Sequence, residues 1–194
     1  MIRPESQESG PVISVFGSSR PSPGSESYEQ ASEVGRLLAL AGFGVATGGY
    51  SGTMEAVSRG AASAGGRVVG VASSRIETFR PGGLNQWVTE SIRYETLRER
   101  VLHLVTENQG MIVLPGGVGT LSEMALAWSF LQVGEIQPRP LILMGHLWRE
   151  TMQAFIRDTY VPDAHAKLLS FADSPVEAVA IVTREVRHSG QDVE

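Results

Sequence analysis

The sequence predicts an α/β fold: a doubly wound, mostly parallel sheet of the Rossmann-like type with helices on both faces. Short apolar runs alternate with segments whose apolar residues recur every three or four positions, as in strands and amphipathic helices. Several of the runs are apolar without alternation, which is typical of strands that are covered on both faces. Right-handed crossovers between such strands place helices on both sides of the sheet.

The first half of the chain predicts two strand–helix units and a third strand. Val12–Phe16 is a continuous apolar run that ends at a glycine, and a loop rich in serine and proline follows it. Helical spacing of apolar residues and glycines at the stops define the elements that come next. They are a helix over 28–41, a strand over 43–47, a helix over 53–64 and a strand over 67–72.

The second half repeats the alternation after a loop over 73–85. The same criteria predict a short strand over 86–90, a helix over 94–107, a strand over 111–114, a helix over 120–133, a strand over 140–144, a helix over 147–159, a strand over 168–171 and a helix over 175–186. A chain of 194 residues without an internal linker fits one core. We therefore predict a single domain over 12–187, between a disordered arm (1–11) and a polar tail (188–194).

Charge and composition exclude several classes of protein. The net charge of −5 does not favour the basic face that nucleic-acid binding normally needs. No apolar run is long enough to span a bilayer, and the first ten residues lack the apolar core of a signal peptide. The absence of cysteine excludes disulfides, thiolate metal sites and a cysteine nucleophile, and it is compatible with a reducing compartment. We expect a cytoplasmic protein with neither nucleic acid nor membrane as a partner.

Glycine is over-represented, with 22 of 194 residues against ~7% in average proteins, and part of the excess falls in three loops that each follow a predicted strand. Ligands of parallel sheets bind at that end of the strands. Glycines let a backbone approach a ligand closely, and the exposed amides at a helix start attract anions. The candidate phosphate-binding residues are Gly17, Ser18 and Ser19 in the first loop, Gly48, Gly49 and Met54 in the second, and Pro115, Gly116, Gly117, Val118, Gly119 and Thr120 in the third.

Taken alone, each loop is equally compatible with an ordinary tight turn, but together the three predict a pocket for a nucleotide or a phosphosugar. Neither the second nor the third loop continues into the Gly-Lys-Ser/Thr of a P-loop. In the second loop, Thr53 stands where a nucleophile elbow needs glycine. The four histidines lack the spacing of metal ligands, so we expect no metal and no cofactor. The single lysine, Lys167, is far in sequence from the glycine loops, which argues against a pyridoxal-phosphate Schiff base.

One carboxylate and two arginines are candidates for chemistry beside the third loop. Glu123 lies about one turn into the helix that follows this loop, where negative charge would stabilise the oxocarbenium-like transition state of glycosidic cleavage. In the alternative, Glu123 bonds to helix-start amides, as in a capping box. Arg98 and Arg100 could hold a phosphate or ribose and keep Glu123 ionised. The alternative for both arginines is a solvated position on the surface of the helix.

These segments resemble the LOG family of cytokinin riboside 5′-monophosphate phosphoribohydrolases, proteins often labelled lysine decarboxylases. Residues 115–123 (PGGVGTLSE) match the family pattern PGGxGTxxE completely. Residues 98–100 (RER) lie where the family has a segment of the form MxxRK. Residues 48–54 resemble its GGxxGLM segment, and residues 15–19 its first-strand VFxGSS. The resemblance extends over roughly residues 12–160.

The resemblance implies a homodimer that hydrolyses the N-glycosidic bond of an adenosine-type or cytokinin-type nucleoside 5′-monophosphate, with free base and ribose 5-phosphate as products. By motif position, Arg100 and Glu123 correspond to the catalytic pair. Gly116, Gly117, Gly119 and Thr120 correspond to the phosphate-binding loop. The helical residues 121–133, which include Trp128, Phe130 and Leu131, are candidates for a dimer interface, with ordinary core packing as the alternative.

Three departures from the family pattern leave other functions open. Val101 stands where the family has lysine, Thr53 replaces leucine and Glu55 replaces glycine. Divergent relatives include molybdenum-cofactor carrier proteins, which are similar in fold and bind without glycosidic hydrolysis. A carrier of a phosphorylated ligand and an assembly subunit without chemistry are therefore the alternatives. Side chains of Arg100 and Glu123 that face one crevice would favour hydrolysis, and side chains that point apart would favour the carrier.

Overall fold

The structure is a computed structural model that describes residues 10–78 and 82–189. The strands are β1 (Val12–Phe16), β2 (Gly44–Thr47), β3 (Val68–Ser73), β4 (Glu90–Tyr94), β5 (Gly110–Val113), β6 (Leu141–Met144) and β7 (Ser170–Ala172). The helices are α1 (Glu26–Leu40), α2 (Thr53–Ser63), α3 (Ser74–Glu77), α4 (Leu97–Thr106), α5 (Val118–Val133), α6 (His146–Phe155), α7 (Asp163–Ala166) and α8 (Pro175–Ser189).

Within the described residues, the seven strands form one parallel sheet in the order β4-β3-β2-β1-β5-β6-β7. The predicted α/β fold is confirmed, and every strand pair is parallel. The strand order reverses at β1 and β5, and the crevice of a doubly wound sheet opens at such a reversal. Phe16 at the end of β1 pairs with Val113 at the end of β5, so the loops that follow these strands lie side by side.

The two faces of the sheet carry separate apolar cores, because successive residues of a strand point to opposite faces. In β1, Ile13 and Val15 contribute to a core with α1, α2 and α8, whereas Val12 and Phe16 contribute to a core with α4, α5 and α6. Ser14, the one polar residue of this strand, is buried and donates a 2.6 Å hydrogen bond to the Leu104 carbonyl oxygen. Both cores leave the carboxyl ends of the central strands to the glycine loops.

The prediction of a short strand over 86–90 is wrong, because the strand in this part of the chain is β4, which begins at Glu90. The Asn85 carboxamide accepts a hydrogen bond from the Trp87 amide and donates to the Gly49 and Tyr50 carbonyl oxygens. These bonds hold the backbone after Asn85 in a turn instead of a ladder.

The predicted helix over 94–107 begins later, at the start of α4, because Thr96 and Glu99 form a capping box. Most other boundaries agree within a few residues, but the helix over 147–159 ends already at Phe155 and the loop over 73–85 contains α3. Helix α8 continues into the predicted polar tail, to Ser189. Residues 1–9 of the predicted arm and 190–194 of the tail lie outside the described residues. Among the helices that the structure describes, none is both long and apolar enough to cross a membrane.

Helices α1 and α2 cross with their backbones in contact, and glycines make this approach possible. A Cβ atom added to Gly35 of α1 would overlap the Val57 carbonyl oxygen of α2. A Cβ atom added to Gly60 of α2 would likewise overlap the Ser32 carbonyl oxygen of α1. The obstacles are backbone atoms, which cannot rotate away, so a larger residue would push the helices apart.

We expect Gly35→Ala to lower the free energy of unfolding by about 1–3 kcal/mol, because overpacking outweighs the gain in helix propensity. Urea denaturation provides the measurement. Gly119→Ala is the matched control, since Gly119 is also helical but an added Cβ meets no atom within 4 Å. Equal stability of Gly35→Ala and the natural chain would show that the two helices do not touch in this way.

Candidate active site

The third glycine loop leads into α5, whose first turn has no side-chain cap. Gly117 is the N-cap, and the first turn contains no acidic residue. The first amides of an α-helix have no partner inside the helix, so those of Val118, Gly119 and Thr120 are available to an anion. A Cβ atom on Gly116 would overlap the side chain of Thr120, and glycine at this position therefore lets the loop fold tightly over the helix start.

Backbone hydrogen bonds join the three glycine loops through Ser18. The Ser18 carbonyl oxygen accepts a 2.8 Å bond from the Thr53 amide at the start of α2, and the Ser18 amide donates to the Pro115 carbonyl oxygen at 3.3 Å. A Cβ atom on Gly52 would overlap the backbone of Ser18 and Ser19. The first loop is thus wedged between the second and the third, so all three loops border one cleft.

A buried ion pair between Arg100 of α4 and Glu123 of α5 lies at the base of this cleft. Arg100 Nη1 is 3.2 Å from Glu123 Oε1, and the two side chains are only 6% and 12% exposed. Arg100 Nε donates a 2.8 Å hydrogen bond to the Val71 carbonyl oxygen of β3. The guanidinium carbon lies 6.0 Å from the centre of the Tyr50 ring, within the range of a cation–π contact.

The second glycine loop makes room for this arginine. A Cβ atom on Gly48 would overlap Arg100 Nη2 and would lie 2.7 Å from the sulfur of Met54. Gly49 does not make room for Arg100. Its φ of +74° favours glycine, and a Cβ there would meet the Leu84 side chain and the Gly70 backbone, behind the loop.

Glu123 does not take part in a capping box, because the N-cap residue is a glycine and the carboxylate pairs with Arg100. Burial raises the pKa of the Glu123 carboxyl, and the charge and hydrogen bond of Arg100 oppose this rise. A carboxylate with a raised pKa can exchange a proton nearer to neutral pH than an exposed glutamate can. The pair therefore supplies both a negative charge and a proton acceptor at the base of the cleft.

The cleft has a volume of about 1010 Å³, enough for a nucleotide-sized ligand. Most of the predicted site residues line it: Gly17, Ser18, Ser19, Gly48, Met54, Arg100, Pro115, Gly116, Gly117, Val118, Gly119, Thr120 and Glu123. Gly49 and Arg98 are not among the lining residues. Arg98 is exposed, in agreement with the alternative of a solvated charge.

Further lining residues were not predicted from the sequence. Arg20, Ser22, Ser25 and Ser27 extend the polar side of the cleft from the loop after β1 into the start of α1. The only signal for them is the serine-rich composition of that loop. The apolar side is formed by Tyr50, Met54, Ile76, Leu97 and Val101. Val101 therefore places an apolar surface beside Arg100, at the position where the family pattern has a lysine.

Lys167 is exposed and does not line this cleft, but borders a smaller cavity elsewhere. An amine at that position cannot reach a ligand held by the glycine loops. Among the side chains that the structure describes, histidine, aspartate and glutamate form no group of three that could hold a metal ion.

Comparison with known families identifies the family of this chain. The model of the family described as "Possible lysine decarboxylase" matches residues 54–182, which include both members of the ion pair and the third glycine loop. The chain belongs to this family, the LOG family. The resemblance that the motifs indicated is therefore confirmed.

Two relatives and one solved structure illustrate the range of proteins to which this LOG-family chain is similar. The cytokinin riboside 5′-monophosphate phosphoribohydrolase of Mycobacterium tuberculosis is 29% identical over 174 residues, covering 87% of this chain and 91% of that protein. The pyrimidine/purine nucleotide 5′-monophosphate nucleosidase of Escherichia coli is 32% identical over 127 residues, 61% of this chain but only 28% of that protein. The molybdenum cofactor binding protein of Rippkaea orientalis superposes with a TM-score of 0.70 at 25% identity, covering 90% and 96% of the two chains.

We expect Arg100→Gln to raise the pKa of Glu123 further, because the arginine charge and hydrogen bond both lower it against the effect of burial. Carbon NMR of the glutamate carboxyl groups across a pH titration measures this pKa. Arg98→Gln, two residues away on the exposed side of α4, is the control and should leave the Glu123 pKa unchanged. If both variants give the Glu123 pKa of the natural chain, the two side chains are not paired.

Proposed function

We propose that this protein hydrolyses the N-glycosidic bond of a nucleoside 5′-monophosphate of the AMP or cytokinin type, releasing the free base and ribose 5-phosphate. One observation carries the proposal: the buried pair of Arg100 and Glu123 faces the same cleft as the uncapped start of α5. The names of the Mycobacterium tuberculosis and Escherichia coli relatives support nucleotide hydrolysis at the level of the family.

In this proposal the 5′-phosphate binds at the start of α5. The amides of Val118, Gly119 and Thr120 point to the anion, and the positive end of the helix dipole favours it. The Thr120 hydroxyl and the neighbouring Ser18 and Ser19 of the first loop add donors at the same end of the cleft. The phosphate is thereby fixed one helical turn from Glu123, close enough for the ribose to reach the carboxylate.

Glu123 acts on the anomeric carbon of the ribose. As the bond between C1′ and the base nitrogen breaks, the carboxylate stabilises the positive charge on the ring and accepts a proton from the attacking water. The hydroxyl of the water bonds to C1′, and the proton passes to the departing base. The raised pKa of Glu123 suits this transient proton transfer.

Arg100 is a positioning residue in this mechanism. Its guanidinium is held by the Val71 carbonyl oxygen and by the Glu123 carboxylate, so it fixes the direction of that carboxylate. Its charge and hydrogen bond also favour the ionised form of Glu123, against the effect of burial, which raises the pKa of this carboxyl. The apolar side of the cleft, with Tyr50 and Val101, offers a surface against which a planar base can pack.

The likeness to the Rippkaea orientalis protein supports the second candidate, a carrier that binds a phosphorylated ligand without cleaving it. Such a carrier would use the start of α5 but has no need of a carboxylate beside the ligand. The common orientation of Arg100 and Glu123 toward one cleft therefore favours hydrolysis. Stoichiometric retention of an intact ligand would favour the carrier.

We expect free base to appear when the protein is incubated with AMP or isopentenyladenosine monophosphate and the products are separated by chromatography. Glu123→Gln should lower kcat/KM at least about 100-fold, since proton transfer typically contributes that much or more. Glu135→Gln, an exposed position just beyond α5, is the matched control and should keep full activity. Full activity of Glu123→Gln would remove Glu123 from the mechanism, and a folded protein that releases no base from either substrate would contradict the proposal.

We further propose that the protein is a homodimer joined through α5. Trp128 of this helix packs in the core, where its indole donates to the His165 carbonyl oxygen at 2.8 Å, and Phe130 and Leu131 are partly buried. The solvent-facing side of α5 carries the apolar residues Val118, Leu121 and Val133 but no charged residue. A second copy of the same uncharged face would cover these side chains.

Val133→Glu should shift the chain toward the monomer in sedimentation velocity, because a desolvated charge would oppose the pairing of two α5 faces. Val133 is 68% exposed and Val176 of α8 is 64% exposed, so Val176→Glu is a control with the same chemical change and similar exposure. An unchanged sedimentation coefficient for Val133→Glu would exclude α5 from the interface.

A further inference from the structure

A second cavity lies at the opposite end of the sheet from the cleft. Its walls include Pro140, which precedes β6, and Ser170, which begins β7, so it opens at the amino ends of these strands. Its volume is about 450 Å³, within the range of small-molecule sites. The LOG-family motifs do not extend into it, and the proposed hydrolysis does not use it.

Four of the ten described residues that line the cavity are basic, although the chain as a whole has a net charge of −5. Arg139, Lys167, Arg184 and His188 border it, and Glu185 is the one carboxylate among the described lining residues. Glu185 lies 3.5 Å from Arg184 Nη2. Three arginine and lysine charges therefore meet one carboxylate charge in a confined space.

Carbonyl oxygens hold Arg139 in place of a carboxylate, although the charge of Glu107 also acts on it. Arg139 donates from Nη1 to the Thr106 and Asn108 carbonyl oxygens and from Nε to the Gln137 carbonyl oxygen, all of which are uncharged acceptors. Within the described part of the chain, neither Arg139 nor Lys167 forms an ion pair with a carboxylate. The hydrogen bonds fix the Arg139 guanidinium in place and occupy three of its five N–H groups, so a ligand would meet the two N–H groups of Nη2.

We infer that this cavity binds a phosphorylated small molecule. An arginine held rigidly beside a lysine and a second arginine suits an anion with several charges and several acceptor oxygens better than it suits a single carboxylate. The apolar side chains of Leu131 and Leu168 on the walls can contact the uncharged part of such a ligand. The site is separate from the cleft, and its existence does not depend on the proposed hydrolysis.

The single lysine makes the test specific, because Lys167 is the chain's one side-chain amine. Acetylation of Lys167, followed by peptide mass spectrometry, reports access to the cavity, and acetylation of the chain's α-amino group is the internal reference. The probe is inorganic pyrophosphate, titrated at constant ionic strength with sodium chloride as the balancing salt. We expect pyrophosphate to slow Lys167 acetylation several-fold and saturably, with no change at the α-amino group.

Two variants of α8 test whether the protection of Lys167 arises from binding in the cavity. Arg184→Gln should weaken the protection about tenfold, the loss expected for one charge-assisted hydrogen bond. Arg187→Gln removes the same charge from the same helix but does not line the cavity, and it should leave the protection unchanged. The inference is overturned if pyrophosphate protects Lys167 no better than chloride does, or if the two variants weaken protection equally.

Discussion

The buried ion pair between Arg100 and Glu123 is the interaction on which the rest of the site depends. Moving two charged groups out of water is costly, so such a pair persists only where the geometry and additional hydrogen bonds compensate. Here the Val71 carbonyl oxygen and the Tyr50 ring hold the guanidinium, and Gly48 leaves the space that it occupies. The pair in turn connects α4 and α5 and holds a carboxylate of raised pKa at the base of the cleft. A chain selected for stability alone would gain little from this arrangement, which is why we connect it with chemistry.

The sheet brings segments that are distant in sequence to this pair. Strands β1 and β5 end side by side at the point where the strand order reverses, and Ser18 then links their loops to the start of α2 by two backbone hydrogen bonds. The glycines of the LOG-family motifs fit this packing, because Cβ atoms at Gly17, Gly52 and Gly116 would overlap neighbouring loops or side chains. The motifs thus describe the close packing of three loops as much as contact with a ligand. The same packing leaves the first amides of α5 open to an anion.

Much of the fold and of the site could be predicted from the sequence, since continuous apolar runs and glycine stops are local signals. The edge strand β4 could not, because its residues are mostly exposed and Asn85 holds the preceding segment in a turn through contacts with a distant loop. The capping box of Thr96 and Glu99 is a pattern that the sequence shows, and it predicts the observed start of α4. Arg98 and Arg100 are about 200° apart around a helix, so only one of them can face the cleft, but which one depends on tertiary packing. The second cavity joins residues from four segments of the sequence and has no sequence signal at all.

The family description names a lysine decarboxylase, but the single lysine of this chain is not placed for amine chemistry in the cleft. Lys167 is exposed and borders the second cavity instead of the cleft. The proposed chemistry rests on one spatial relation, a phosphate at the start of α5 and a sugar against Glu123. A crystal structure of Glu123→Gln with AMP tests this relation most directly. The account predicts phosphate oxygens within hydrogen-bond distance of the Val118–Thr120 amides and C1′ of the ribose in contact with residue 123. A phosphate bound away from α5, or a ribose whose C1′ faces away from residue 123, would contradict it.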